Sequence, residues 1–141
     1  MHVRKAETED ALRIQTLLEQ LGYPTDNGFI AGRLALFSDR EDHFDLVYEQ
    51  EGVVIGFLSF HLIPQIAFDG NYGVISYLVV DENIRSRGVG KALEEYCTAL
   101  AIEKKCKRVL VSSNIRRNDA HRFYLRQGYE VYQKAFVKYL G

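Results

Sequence analysis

A short segment rich in glycine and basic residues has the residue types expected of an anion-binding site. Gly88 and Gly90 carry no side chain, so the backbone there can approach a ligand closely. Three cations surround them, namely Arg85, Arg87 and Lys91. The apolar residues that follow recur at helical spacing, which puts these cations at a helix start, where the helix dipole disfavours positive charge. Free N–H groups and cations together favour an anion, and phosphate fits best.

Two familiar phosphate-binding motifs are excluded by the residues around this loop. A dinucleotide-binding fingerprint requires a third glycine where Leu93 stands, and an acid at the end of the next strand. That strand, residues 108–114, ends in serine and asparagine instead. A P-loop requires lysine and then serine or threonine after its last glycine, whereas Gly90 is followed by Lys91 and Ala92.

Residues 85–90, with the sequence RSRGVG, resemble the Q/R-x-x-G-x-G/A motif of the GNAT superfamily of N-acetyltransferases. In that family the backbone amides of this loop bind the pyrophosphate of acetyl-CoA. The preceding strand, here residues 78–80, pairs through its backbone with the pantetheine arm. A second segment, residues 118–124 followed by Gly128 and Tyr129, is similar to the family's other signature. The resemblance is good over residues 72–129 and loose before them.

The resemblance implies a set of site residues for acetyl-CoA, which would serve as the acyl donor without any metal. Tyr124 matches the family tyrosine, and a neutral phenol can protonate the leaving thiolate. Phe123 beside it is the better core residue. The implied cofactor-binding residues are Leu78, Val79, Val80, Arg85, Ser86, Arg87, Gly88, Val89, Gly90, Lys91, Asn118 and Tyr124.

The general base of such a transfer is left open by the sequence. A primary amine has a pKa of about 10.4, so a base or a chain of waters must remove a proton before the amine can attack. Many family members carry an acid in the central strand, where this chain has Ser76 and Tyr77. The alternatives are a water chain or one of His61, Asp69 and Glu82, although a lone strand histidine is more often simply hydrogen-bonded.

The elements that must position these residues follow from the hydrophobic periodicity. The pattern predicts the order β-α-α-β-β-β-α-β-α-β-β, which is a mixed α/β (α+β) fold with one mixed sheet and helices on both faces. The resemblance adds that the two central parallel strands splay apart where acetyl-CoA inserts. The strands are expected at residues 2–6, 44–50, 53–64, 74–80 and 109–111, with a closing hairpin of 129–132 and 135–140.

Four helices are expected between these strands, in a single domain over residues 1–141. The first is capped by Thr8, and the last covers residues 118–127. The expected buried stripes are Ala11, Ile14, Leu18 and Leu21 in the first helix, Ile30, Leu34 and Phe37 in the second, and Val89, Leu93, Tyr96, Cys97 and Leu100 in the third. Gly56 within its strand suggests a bulge or a close packing contact.

Composition and charge exclude several function classes. The net charge of −1 argues against a general affinity for nucleic acid or for an acidic membrane surface. The N-terminus has no apolar signal segment, and no apolar run approaches the ~18 residues of a membrane span. The two cysteines, Cys97 and Cys106, are too few for a disulfide framework, which favours structural thiols in a reducing cytoplasm.

Two functions from different classes are compatible with these residues. The first is direct acetyl transfer from acetyl-CoA to an amine in a ternary complex, and the second is a non-catalytic acyl-CoA sensor on the same fold. The missing strand acid favours the sensor slightly, and Tyr124 favours the enzyme more; a phosphate-binding module unrelated to CoA is a distant third.

The acceptor stays open among small amines, aminoglycosides, polyamines, amino acids and peptide N-termini, and homodimers are common in the family. The acids of residues 38–42, together with Asp26, could attract a cationic substrate, but a solvated loop is favoured.

Overall fold

The computed structural model describes residues 2–84, 88–112, 118–132 and 135–141. In these residues the chain forms five strands and four α-helices. The strands are β1 (Val3–Lys5), β2 (His43–Gln50), β3 (Val53–Pro64), β4 (Asn71–Val80) and β5 (Cys106–Val111). The helices are α1 (Ala11–Leu21), α2 (Asn27–Phe37), α3 (Val89–Glu103) and α4 (Asn118–Arg126). None of these helices is long and apolar enough to cross a membrane.

The five strands form one mixed sheet in the order β1-β2-β3-β4-β5. The first three pairings are antiparallel, and β4 and β5 run parallel. The parallel pairing ends at Ile75 and Val111, so residues 76–80 of β4 have no partner on that side within the described chain. The predicted mixed sheet is therefore confirmed, and its parallel strands separate in the middle of β4.

A β-bulge in β4 coincides with this separation. Ser59 of β3 pairs with Tyr77, whereas the next residue, Phe60, pairs with Ile75. Ser76 is therefore the extra residue, and its side chain is exposed. Bulges of this kind redirect a side chain and are common beside active sites.

Helices cover both faces of the sheet, as predicted. On one face α1 and α2 bury Leu17 and Leu34 against Val47 and Phe57. On the other face α3 buries its apolar side against a second cluster, which includes Leu58, Phe60, Ile75, Leu93 and Cys97. Complete burial of one such leucine or phenylalanine stabilises the fold by about 1.5–3 kcal/mol.

Gly56 explains how closely α3 approaches the sheet. A Cβ atom at this position would lie 2.8 Å from Val89 and 2.9 Å from Leu93, so the first turn of α3 packs on the glycine itself. The pairing of β2 with β3 also shifts register next to Gly56. Both parts of the prediction for Gly56, a bulge and a close packing contact, are confirmed.

Two local predictions for the helices are wrong. Thr8 does not cap α1, because the chain first makes a 3₁₀ turn (Thr8–Asp10) in which the Asp10 carboxylate accepts from the Glu7 N–H at 2.8 Å. Tyr96 is 37% exposed, whereas Glu94 is only 4% exposed. The buried positions of α3 follow i,i+4 steps through Cys97, so Tyr96 falls at the border of the stripe.

The closing hairpin predicted at residues 129–132 and 135–140 is also wrong, since no strand forms in the described residues there. The side chains of Val131, Phe136 and Leu140 are all more than 90% exposed. High β-propensity reflects packing of a side chain on a pleated, half-buried surface, and these side chains have no such surface. The segment contacts the sheet locally, where Arg108 of β5 donates to the Tyr132 hydroxyl at 2.6 Å.

Candidate active site

The described part of the glycine loop before α3 begins at Gly88, and its role as an anion site stays a prediction. Gly88 precedes α3 with a φ of 74°, a left-handed conformation that favours glycine, and its carbonyl accepts from the Ala92 N–H at 3.0 Å. Apart from its two chain neighbours, no atom of the described residues lies within 4 Å of the position that a Cβ would take there. Lys91 is 3.7 Å from Glu95, an exposed ion pair one helical turn apart. Arg85, Ser86 and Arg87 lie outside the described residues.

Among the residues that the structure describes, the strand predicted to pair with pantetheine has an unpaired backbone edge. Leu78, Val79 and Val80 are bonded to β3 on one side, and beyond Ile75 the other side has no partner in the described chain. Val79 is buried against α1 and α2, and Leu78 and Val80 pack toward α3. The side chains are therefore fixed from both faces, which leaves the backbone edge for the role predicted.

The predicted catalytic tyrosine lies on α4, which begins at Asn118. The ring of Tyr124 packs edge-on against Phe123 at 5.4 Å and Tyr129 at 5.5 Å between centroids. The Tyr129 N–H donates to the Tyr124 carbonyl at 3.0 Å, which closes the end of the helix. Burial, and then the nearby carboxyl of Glu94, raises the pKa of the Tyr129 phenol. The roles of Asn118 and Tyr124 stay predictions.

A cavity of roughly 810 Å³ opens on the face of the sheet that carries α1 and α2. Its floor is a polar patch on three adjacent strands. The patch consists of His43 and Asp45 of β2, Ser59 and His61 of β3, and Ser76 of β4. His43 pairs with His61 in the sheet register and Asp45 with Ser59, so alternation along each strand turns these four side chains to one face.

Short hydrogen bonds join the polar patch in two groups. The Asp45 carboxylate accepts from the Ser59 hydroxyl at 2.7 Å and contacts His43 Nε2 at 2.9 Å. His61 Nε2 lies 2.5 Å from the Ser76 hydroxyl. The two histidine rings meet edge to face at 4.5 Å and bring the groups together. Burial and then the neighbouring His43 lower the pKa of His61.

The three base candidates named from the sequence do not lie together. His61 lines the cavity, whereas Asp69 and Glu82 are exposed and are not part of its lining. The backbone N–H of Glu82 donates to Gln20 Oε1 at 3.0 Å, in the 3₁₀ turn (Glu82–Ile84) that follows β4.

The polar residues of the cavity that sequence reasoning missed include Arg33, His43, Asp45 and Ser59. Three of them have a sequence signal. The polar residues His43 and Asp45 alternate in one predicted strand, and Ser59 alternates with His61 in its hairpin partner. Arg33 lies on α2 and has no comparable signal, because an arginine on a surface helix is common.

The acidic loop does not present free carboxylates to the cavity. Arg40 donates two hydrogen bonds of 2.9 Å to Asp42, and this contact lowers the pKa of the Asp42 carboxyl. Asp26 caps α2 by accepting from the Phe29 N–H at 2.9 Å. These contacts do not support the attraction of a cation. The guanidinium of Arg33 instead lies over the ring of Phe29 at 5.0 Å, on the wall of the cavity.

Comparison with known proteins gives the family. The family model described as "Acetyltransferase (GNAT) family" matches residues 10–129. The chain belongs to the acetyltransferase (GNAT) family. It is an N-acetyltransferase, and the family uses acetyl-CoA as the acetyl donor. In the part of the chain that the structure describes, no group of three or more His, Cys, Asp or Glu side chains could hold a metal ion.

Individual relatives agree with this assignment. The chain is 33% identical to an aminoalkylphosphonate N-acetyltransferase of Salmonella typhimurium, over 98% of this chain and 90% of the relative. It resembles the structure of glucosamine-6-phosphate N-acetyltransferase from Arabidopsis thaliana, with a TM-score of 0.82 and 25% identity over 99% and 97% of the two chains. A GNAT family acetyltransferase from Staphylococcus aureus matches with a TM-score of 0.81 and 23% identity over 99% and 100%. The expected cytoplasmic location and homodimer stay predictions.

Proposed function

We propose that this GNAT enzyme transfers acetyl from acetyl-CoA directly to the primary amine of a small acceptor that also carries a phosphonate or a similar anion. The cavity beside the break in the parallel strands is the observation that carries the proposal. The relative from Salmonella typhimurium, which is named for aminoalkylphosphonates, supports the acceptor class. This proposal replaces the non-catalytic sensor as the interpretation of the fold.

The position of Ser76 supports a ternary complex. The unpaired edge of β4 faces the gap left by β5, where the donor would bind, and the cavity opens on one face of the same strand. The bulge residue Ser76 lines the cavity at the first position where the partner strand is missing. An amine in the cavity and a thioester along β4 would therefore meet without an acyl-enzyme stage.

One arginine on the cavity wall, Arg33, suits an anionic acceptor, whereas Arg40 is already paired with Asp42. The guanidinium groups of Arg33 and Arg40 each lie 5.8 Å from the ring centroid of Phe37. Arg33 has no ion pair with a carboxylate among the described residues, so its donors are free for a ligand. A guanidinium presents parallel N–H groups that match phosphonate oxygens, and such charge-assisted pairs are about twice as strong as neutral hydrogen bonds.

The transfer itself follows from the requirements of thioester aminolysis. The neutral amine attacks the carbonyl carbon and the C–S bond breaks. The nitrogen then loses one proton, which passes through solvent and restores the Tyr124 phenol after that phenol has protonated the thiolate. Backbone N–H groups on the free edge of β4 would stabilise the tetrahedral oxyanion. The Tyr124 phenol would donate its proton to the leaving thiolate, which gives CoA and the acetamide.

A comparison of matched acceptors tests the proposal. Thiol release from acetyl-CoA is measured with a short aminoalkylphosphonate and with an alkylamine of the same length that lacks the phosphonate. We expect kcat/KM to be about 10²-fold higher for the phosphonate, because a bidentate guanidinium contact is lost with the neutral amine. Arg33→Gln should remove most of this difference by raising KM for the phosphonate while leaving the neutral amine unchanged.

Equal kcat/KM for the two acceptors would contradict the anionic substrate class. Absence of thiol release with every primary amine, in a protein that binds CoA, would contradict acetyl transfer. Initial velocities with both substrates varied should give intersecting lines, whereas parallel lines would indicate an acyl-enzyme in place of a ternary complex.

A further inference from the structure

The bulge in β4 carries a hydroxyl group, that of Ser76, in the part of the central strand where the family resemblance led us to expect an acid. Ser76 is the unpaired extra residue of β4, and its exposed side chain lines the cavity. Its hydroxyl oxygen lies 2.5 Å from Nε2 of His61 on the adjacent strand. The pair therefore combines a group that can relay a proton with a group that can keep it.

We infer that His61 is the general base of the transfer and that it takes the ammonium proton of the acceptor through the hydroxyl of Ser76. The ammonium gives one proton to Ser76 Oγ, while Ser76 gives its own hydroxyl proton to His61 Nε2. The hydroxyl is regenerated, His61 becomes an imidazolium, and the amine lone pair is free to attack the thioester. The step requires the neutral tautomer of His61 with its proton on Nδ1. The inference rests on the proposed function.

The surroundings of His61 favour its neutral imidazole over the imidazolium. Burial lowers the pKa of His61, and His43 on β2 acts in the same direction. Arg40 from the preceding loop adds to this effect, whereas the carboxylates of Asp42 and Asp45 oppose it. The net effect is a lower pKa for His61, so its imidazole is available to accept a proton near neutral pH, as a general base must be.

Other proton acceptors that line the cavity are less suited to this step. Asp45 already accepts from Ser59 with one oxygen and contacts His43 with the other. Both oxygens of Asp42 accept from Arg40, and the resulting low pKa makes Asp42 a weak base. Within the described lining of the cavity, His61 is therefore the titratable acceptor in direct contact with the hydroxyl at the strand break.

A purely structural histidine would make the same hydrogen bond, so the test must depend on titration. Wild type, His61→Gln and Ser76→Ala are compared by the pH dependence of kcat/KM with one active amine, with CoA binding as a check of folding. In wild type we expect a limb that rises with pH, with an apparent pKa below the ~6.5 of a free histidine. The glutamine amide cannot take the proton, so His61→Gln should lose this limb and about 10²-fold in kcat.

Ser76→Ala keeps the titrating group and removes the relay. It should lower kcat about 10-fold and keep the limb, because a water in place of the hydroxyl can still reach His61. His2→Gln is the matched control, since His2 is exposed and its ring stacks on Tyr48 away from the cavity. This control should leave the profile unchanged.

An unchanged limb and kcat in folded His61→Gln would overturn the assignment of the base while leaving acetyl transfer intact. Loss of the limb in folded Ser76→Ala would also contradict the assignment, because that variant keeps the imidazole of His61. A wild-type protein that releases no thiol with any amine would overturn the proposed function and this inference together.

Discussion

Phe123 of α4 lies over Gly90 in the first turn of α3, so closely that a Cβ atom on Gly90 would be 3.3 Å from its ring. The next residue, Tyr124, is the predicted acid, and Gly90 belongs to the predicted pyrophosphate loop. Because Phe123 packs on a position without a side chain, the spacing between α3 and α4 depends on that glycine. This contact therefore links the start of α3 to the helix that carries Tyr124.

A methyl group at Gly90 should test this contact. Gly90→Ala would push Phe123 outward and move Tyr124 with it, and even a small misplacement of a reacting group is costly. We expect kcat to fall about 10-fold in a protein that stays folded, measured by thiol release and circular dichroism. In the control Gly32→Ala, the Cβ would have no described atom within 4 Å outside its own helix backbone, so activity should be unchanged and the helix stabilised by about 0.5–1 kcal/mol. Equal activity of the two variants would contradict the coupling.

Tyr124→Phe tests proton donation itself. The variant removes one oxygen and keeps the ring that packs on Phe123 and Tyr129, so folding should change little. If the phenol protonates the thiolate, kcat should fall about 10²-fold while KM for acetyl-CoA stays constant. The substrate must be one for which chemistry, not product release, limits the rate. Tyr132→Phe, at the Arg108 contact, serves as control, and a parent-like rate in Tyr124→Phe would show that water protonates the thiolate.

The pyrophosphate loop is tested at Gly88, whose positive φ demands a matched control. Gly88→Val adds a side chain where a phosphate would approach the backbone, but valine is also strained at a φ of 74°. Gly52→Val creates the same strain at a φ of 79° in the turn between β2 and β3. Calorimetry should show CoA binding abolished in the first variant and retained in the second. Loss of affinity in both, or in neither, would contradict a phosphate site at Gly88.

Much of the fold could be predicted from the sequence because its core elements carry strong local periodicity. The strand bounds of β3 agree with the prediction, and the apolar run of β4 and the stripe of α3 have the expected neighbours. The prediction of a C-terminal hairpin failed because alternating aromatic and β-branched residues form a strand only where a second surface packs against them. Local sequence does not contain that surface.

The candidate site was predictable only where one continuous segment forms it. The loop at Gly88 and the edge of β4 lie close together in sequence, so local rules were enough to propose them, and their roles stay predictions. The polar patch combines residues of three strands, and His61 meets Ser76 only after the bulge in β4 shifts the register by one residue. A one-residue shift is invisible to a period-two pattern, so His61 alone looked like an ordinary strand histidine.

The two cysteines are predicted to have no part in catalysis. Burial raises the pKa of the Cys97 thiol to about 12, and burial also raises the pKa of Cys106, so neither is a thiolate at neutral pH. The double variant Cys97→Ala, Cys106→Ser should therefore keep its kcat, with a loss of about 1–2 kcal/mol in the free energy of unfolding from the smaller core side chain. An inactive double variant that still folds and binds CoA would instead indicate an acyl-cysteine intermediate.

The ion pair between α1 and the residue that follows β4 should make the free energy of unfolding depend on pH. Arg13 donates to the nearly buried Asp81 carboxylate at 2.7 Å and to the Val54 carbonyl at 2.9 Å. The backbone N–H of Asn83, followed by Arg13, lowers the pKa of Asp81. A carboxyl whose pKa is lower in the folded state contributes its stability above the unfolded pKa of ~3.9, and that contribution is lost as pH falls through the folded pKa.

Asp81→Asn should therefore lower the free energy of unfolding at pH 7 by about 1–3 kcal/mol, because the amide leaves the Arg13 cation without its counter-charge. The difference from wild type should shrink as the pH is lowered below ~4, where the native carboxyl also becomes neutral. Urea unfolding of both proteins at several pH values measures this. Asp39→Asn, an exposed acid in the loop after α2, is the control and should change stability by less than about 0.5 kcal/mol. If Asp81→Asn lowers the free energy of unfolding by the same amount at every pH, the effect comes from packing and not from the charge of Asp81.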